Sequence, residues 1–214
     1  AVPTVPQVRL ADGGPTLSRI VAGAWRLGDW GLDVAGRRRW IDACLALGIT
    51  SFDHADIYGG YGVEALFGEV LAADPGLRAR LQIVGKCGIK LVGPARPEHA
   101  IKSYDTSRVH VIAAVERSLQ ALRTDHLDLL LIHRPDALLD AEALADTFRS
   151  LRAAGKVLHD STTPSMYSGF HSIQVNASEP SIELKSYNLR MRLVPTDGPV
   201  AEAKPIPMPV ETKN

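Results

Sequence analysis

From Ile20 onward the chain alternates between two rhythms. Short apolar runs at Ile20–Ala24, Ile49–Asp53, Leu81–Lys86 and Leu127–His133 are each followed by a stretch in which apolar residues return every three or four positions. The short runs predict strands and the longer stretches predict amphipathic helices. The first helix is expected over Gly36–Leu47, with Trp40, Ile41, Cys44 and Leu45 inward, and the second carries Val63, Leu66, Phe67, Val70 and Leu71. A third is expected over Thr106–Leu122 (Ile112, Val115, Leu119 and Leu122 inward) and a fourth over Asp140–Ala154 (Leu144, Phe148 and Leu151). Gly48 and Gly155 stand where glycine commonly ends a helix. LDLLLIH is nearly continuous in apolar residues, the mark of a strand covered on both faces. Strand and helix alternate with crossovers long enough for parallel pairing, so the class is α/β with a parallel sheet.

The ends depart from this rhythm. VRLADGGPTLSRIVAG places Asp12-Gly13-Gly14-Pro15 between two strand-like runs and predicts a β-hairpin. Cys87 to Asp105 is a long connection, of the kind that often carries function. Past Gly155, GKVLH begins a fifth strand, but DSTTPSMYSGFHS shows no helical stripe. Ser172–Asn176 and Ser181–Leu184 are expected as short strands. The prolines at 195, 199, 205, 207 and 209 point to a disordered tail. The domain reading is therefore an α/β portion over 1–159 and a divergent segment over 160–214.

Composition narrows the function classes. The 214 residues suffice for one domain with a proper core. Lys plus Arg equals Asp plus Glu at 24 each, so no net field favours nucleic acid or anionic lipid as a partner. Arg37-Arg38-Arg39 reads as the solvated face of a helix. Cys44 and Cys87 lie in apolar stretches without metal-ligand spacing and read as reduced core thiols; no metal site is expected. No apolar run reaches the roughly 18 residues needed to span a bilayer. AVPTVPQVRL lacks the pattern of a signal peptide, which makes the cytoplasm the expected location.

The chemistry concentrates in FDHADIYGGYG, residues 52–62. GGYG follows a strand and precedes a helix, the context of a phosphate turn, yet it lacks G-x-G-x-x-G and the Gly-Lys-Ser/Thr ending of a P-loop. Its glycines are read as permitting a tight turn. Asp53, Tyr58, Lys86 and His133 instead fall at or just beyond the carboxyl ends of successive parallel strands, where such folds place active sites. An ammonium at Lys86 is expected to lower the pKa of the Tyr58 phenol, with Asp53 holding the lysine. Tyr58 is then the proton donor to an oxygen becoming an alkoxide, and His133 orients that oxygen. This equipment suits reduction of a carbonyl, given a cofactor that supplies hydride.

Those residues, with IVGKCGI, YDTSR at 104–108 and HLDLLLIHRPD, resemble the aldo-keto reductases, most closely a bacterial oxidoreductase branch. The resemblance runs from about Val8 to His159. It implies a (β/α)8 TIM-type barrel, here incomplete with four to five βα units, an N-terminal hairpin across its floor and an irregular C-terminal part. It also implies NADPH as cofactor, a small-molecule carbonyl substrate, and Asp53, Tyr58, Lys86 and His133 as a catalytic tetrad. By the same resemblance Ala24, Trp25 and Asp53 border the nicotinamide and His133 faces the substrate, while Trp30 either walls the substrate pocket or is an ordinary half-buried aromatic. His54, on the opposite side of its strand from Asp53, is expected in the core or facing a helix. After GKVLH the resemblance lapses: Asp160-Ser161-Thr162-Thr163-Pro164 replaces the family's Ser-Asn pair, and Gln174 is the sole trace of the later cofactor residues. An open sheet edge would invite self-association. The alternative function is thus an inactive half-barrel that binds itself or a partner.

Overall fold

The computed structural model describes residues 4–10, 13–134, 136 and 138–160, and the backbone of three further strands within 170–193. The chain divides into two units, 1–163 and 164–214.

In the first unit, β1 (Gln7–Arg9) and β2 (Thr16–Ser18) pair antiparallel with Val8 opposite Leu17, the expected hairpin. Then come β3 (Ala22–Gly23), α1 (Val34–Ala46), β4 (Ser51–Asp53), α2 (Val63–Ala73) and β5 (Gln82–Cys87). A small antiparallel ladder, β6 (Ile89–Lys90) with β7 (Ser103–Tyr104), gives structure to the long connection. The unit closes with α3 (Arg108–Leu122), β8 (Leu127–Ile132), α4 (Ala141–Ala153) and β9 (Val157–Asp160). Strands β3-β4-β5-β8-β9 form one sheet in that order, every pair parallel. This is the α/β architecture expected, with five of a barrel's strands among the described residues.

The helices start and stop for local reasons. Asp33, Ser107 and Asp140 cap α1, α3 and α4 by accepting from the N–H groups of Gly36, His110 and Ala143. Gly48 ends α1 at φ 80°, and a Cβ there would meet Val5 O at 2.9 Å, so the position admits only glycine comfortably. On α3 the inward residues are Val111, Ala114, Val115, Ser118, Leu119 and Leu122, which shifts the predicted stripe away from Ile112. The reason is close packing on α2: a Cβ on Gly68 would lie 2.0 Å from Ala121 O. Phe52, Phe67, Ile83 and Leu130 are fully buried, and Leu17 of the hairpin clusters with Val84 and Leu129. Cys44 and Cys87 are buried free thiols, as expected.

Two expectations are corrected. The arginine triplet is not a solvated face: Arg37 is buried and donates to Glu69 of α2 at 2.6 Å, and Arg38 bonds Asp42 and Asp74, leaving only Arg39 exposed. Helix α1 packs against α2, so its guanidiniums reach acids on and just beyond that neighbour. The first predicted strand shrinks to Ala22–Gly23 because Ile20 and Val21 are exposed.

The second unit holds β10 (Phe170–Asn176), β11 (Ser181–Ser186) and β12 (Arg190–Leu193), an antiparallel sheet with Gln174 opposite Glu183. The two predicted strands are present and a third joins them. The expected disordered tail at 195–214 lies outside the described residues. Among the described residues no helix is long and apolar enough to cross a membrane.

Candidate active site

Strand register delivers the polar groups to one rim. Asp53 is the last residue of β4, Lys86 is next to last in β5 and paired with Leu131, and His133 follows β8 with its N–H on Cys87 O at 2.9 Å. Tyr58 enters from the β4–α2 turn. That turn runs through three consecutive left-handed residues, Gly59, Gly60 and Tyr61, at φ 57°, 63° and 74°. At Gly59 a Cβ would also meet Val63 Cγ2 at 2.8 Å. Tyr61 tolerates its φ because its hydroxyl accepts from Leu91 N–H at 2.8 Å and Arg96 stacks on its ring. The N–H groups of Gly62 and Val63 both donate to Tyr58 O, so the turn itself occupies amides that a phosphate would need.

Asp53, Tyr58 and Lys86 form one hydrogen-bonded cluster. The Tyr58 hydroxyl donates to Asp53 Oδ2 at 3.0 Å, and Lys86 Nζ donates to Tyr58 Oη at 2.9 Å. Lys86 also lies 2.5 Å from Asp53 Oδ1 and donates to His54 O at 3.0 Å, which uses all three ammonium donors. His133 stands edge-on to Tyr58 with ring centroids 5.9 Å apart. The four predicted catalytic residues are therefore brought together.

The electrostatics differ from expectation in one respect. The Tyr58 phenol is pushed up, not down, chiefly by burial and then by the Asp53 charge and hydrogen bond. Burial also lowers the Lys86 ammonium, against the opposing pull of Asp53. Without substrate, Tyr58 is thus a firmly protonated phenol and not an incipient phenolate. An alkoxide is still the stronger base, so the direction of proton transfer is unchanged.

The neighbouring residues separate into two groups. Ala24 is buried with its N–H on Asp53 O at 2.9 Å, and Trp25 is 65% exposed with its ring 6.5 Å from Tyr58. Trp30 packs edge-on against Trp40 of α1 at 5.4 Å, which makes it part of an aromatic cluster with Phe52 and Phe67. His54 is fully buried against Phe67 at 4.5 Å, as expected for a core residue, and burial lowers its pKa to about 3. Sequence reasoning missed Asp56 and Glu64, both buried beneath the Tyr58 turn. Glu64 had a signal: it sits on the inward side of α2, between Val63 and Phe67.

Comparison with known proteins places this rim in context. The model of the aldo/keto reductase family matches residues 19–194. The chain belongs to the aldo/keto reductase family. The family match extends beyond His159, where recognisable motifs end. This aldo/keto reductase chain is 52% identical over 155 residues to the oxidoreductase YdhF of Escherichia coli, covering 72% of the chain and 51% of that protein. It is 51% identical over 142 residues to a 6-dehydroglucose reductase of Agrobacterium fabrum, covering 66% and 48%. The holo form of the aldo-keto reductase AKR11C1 from Bacillus halodurans superposes with a TM-score of 0.60 at 25% identity, over 73% of this chain and 49% of that one. The chain spans about half the length of the curated relatives it matches.

Proposed function

We propose that this chain carries the proton-donor half of an NADPH-dependent reductase that converts aldehydes or ketones to alcohols. The observation that carries the reading is the Asp53–Tyr58–Lys86 cluster with His133 at its edge. A family member at 51% identity bears a reductase name, which supports the same class.

The donor set suits the reactive end of a nicotinamide. Trp25 offers an exposed aromatic face beside Tyr58, and Ala24 has no side chain that would crowd the approach to Asp53. These residues would hold that end of the cofactor, and the bound cofactor supplies the hydride. The protein's own residues do the rest. His133 and Tyr58 orient the carbonyl oxygen by hydrogen bonds. The Tyr58 proton, held on Asp53 in the resting site, swings to the oxygen as negative charge grows there. Lys86, already donating to Tyr58 Oη, steadies the phenolate left behind, and Asp53 keeps Lys86 in place.

The test is NADPH oxidation by the full chain with a panel of small aldehydes and ketones. Tyr58→Phe is expected to remove all carbonyl-dependent turnover while leaving near-UV circular dichroism unchanged. Full activity in that variant would refute the assignment. A second reading, an inactive half-barrel that self-associates, is favoured by β3 and β9 each having a single partner strand among the described residues. Quenching of Trp25 fluorescence separates the two. Saturable micromolar NADPH binding supports the reductase, and no binding up to millimolar supports the half-barrel.

A further inference from the structure

Beneath the turn that carries Tyr58 lies a second set of ionisable groups that the carbonyl chemistry does not touch. Asp56 is 7% exposed and Glu64 is 4% exposed, and Asp56 Oδ1 and Glu64 Oε1 each lack a hydrogen-bond partner. A buried oxygen left bare costs about 1–3 kcal/mol, and more when it is charged, so such atoms call for an explanation.

The two acids are held by different elements. Asp56 N–H donates to Lys86 O at 3.1 Å, which fixes Asp56 beside the end of β5. Glu64, in the first turn of α2, is buried on the side that faces Ser118 of α3. The groups facing the pair are Lys86 and Cys87 from β5, Arg117 from α3, Arg96 from the β6–β7 connection and Tyr61 from the turn. His54 is buried nearby with both ring nitrogens unpartnered.

Burial pushes each carboxyl up to about 7. The Asp56 charge also opposes ionisation of Glu64, so the two acids titrate as a coupled pair. The ammonium of Lys86 is destabilised by its own burial, and Asp53, Glu64 and Asp56 all act in the opposite direction.

We propose that Asp56 and Glu64 are positioning residues for Lys86, a buried carboxyl pair behind the Tyr58 turn whose shared negative charge keeps the desolvated ammonium protonated and donating to Tyr58. Asp53 alone has two tasks, since it also accepts the Tyr58 proton's hydrogen bond. When Tyr58 swings to substrate that bond is lost, and the pair beneath holds the charge of Lys86 steady. The inference rests on Lys86 as the partner of Tyr58, but it is read from proton binding and not from turnover.

The experiment is a pH titration of the full chain with ¹³Cε-labelled lysine, followed by NMR, with the Lys86 signal assigned by its loss in Lys86→Met. Glu64→Gln and Asp56→Asn are each expected to weaken proton binding at Lys86 about ten-fold. Glu64→Asp, which keeps the charge, is expected to retain the wild-type midpoint. An unchanged Lys86 midpoint in folded Glu64→Gln and Asp56→Asn overturns the proposal. A Glu64→Asp midpoint as low as that of Glu64→Gln does so too, because shape and not charge would then matter. If the variants do not fold, ¹³C-carboxyl titration of the unaltered chain decides. Two carboxyl signals that are ionised before Lys86 begins to lose its proton support the pair, and carboxyls still protonated at the Lys86 midpoint overturn it, because they would carry no charge to offer the ammonium. Absence of carbonyl turnover would sink the reductase reading and leave the Lys86 titration legible.

Discussion

At the amino ends of the parallel strands, Arg78 donates to Thr124 Oγ1, Leu81 O, His126 O and Asp128 Oδ2, all between 2.8 and 3.0 Å. Asp128 in turn accepts from Ile83 N–H, and Ser18, Thr50, Ser51 and Gln82 bond one another around the hairpin. At the carboxyl ends, Asp53, Tyr58 and Lys86 are mutually bonded, yet Asp56 Oδ1, Glu64 Oε1 and both nitrogens of His54 have no partner. One end is a satisfied network that fixes the sheet. The other keeps strained turn geometry, shifted pKa values and bare polar atoms, which are features of a working site. The network that fixes the sheet and the proposed chemistry thus lie at opposite ends of the same strands.

Substitutions at each end test that division. Lys86→Met has the largest expected effect, a loss of carbonyl turnover of about 10²–10⁴-fold, measured by NADPH oxidation, with little change in the denaturation midpoint. A large drop in stability instead would mean the rim is structural. Arg78→Ala is expected to lower unfolding free energy by about 3–5 kcal/mol in urea titrations, because it leaves the Asp128 carboxylate without its counter-ion and the Leu81 and His126 carbonyls without the guanidinium donor. Its surviving folded fraction should turn over normally.

The next effect is one of pH. Asp56 and Glu64 are raised by burial from 3.8 and 4.5 to about 7 in the folded chain. The folded state therefore binds protons that the unfolded chain has released, and this contribution is full below about pH 4 and lost as pH rises to about 7. Glu64→Gln should flatten the fall in unfolding free energy across that window relative to wild type, by on the order of 3 kcal/mol. Parallel curves for the two proteins would contradict a buried, protonated Glu64. The smallest effect belongs to neither end: Asp140→Ala, which removes the cap on α4, should cost about 1 kcal/mol in the same urea titration.

Much of this was legible before the structure. The alternation of Leu81–Lys86 and Leu127–His133 with helical stripes gave the parallel sheet, since a strand buried on both faces must be apolar throughout. Asp53, Tyr58, Lys86 and His133 stood out as polar groups at or just past the ends of such runs. The burial of Arg37 did not, because a guanidinium on a helix becomes internal only when a neighbour supplies an acid, here Glu69. Trp30 was equally ambiguous until Trp40 was placed against it.

Residue order alone specified the alternating architecture, the hairpin, the tight GGYG turn and the residues of the rim. Each is written in local spacing: a period, a cap or a glycine. Folding in three dimensions was needed to show that burial and Asp53 push the Tyr58 phenol up, that α3 approaches α2 closely at Gly68, and that Asp56 and Glu64 are buried. Those outcomes depend on desolvation and on distances between segments far apart in the chain, and no local pattern encodes either.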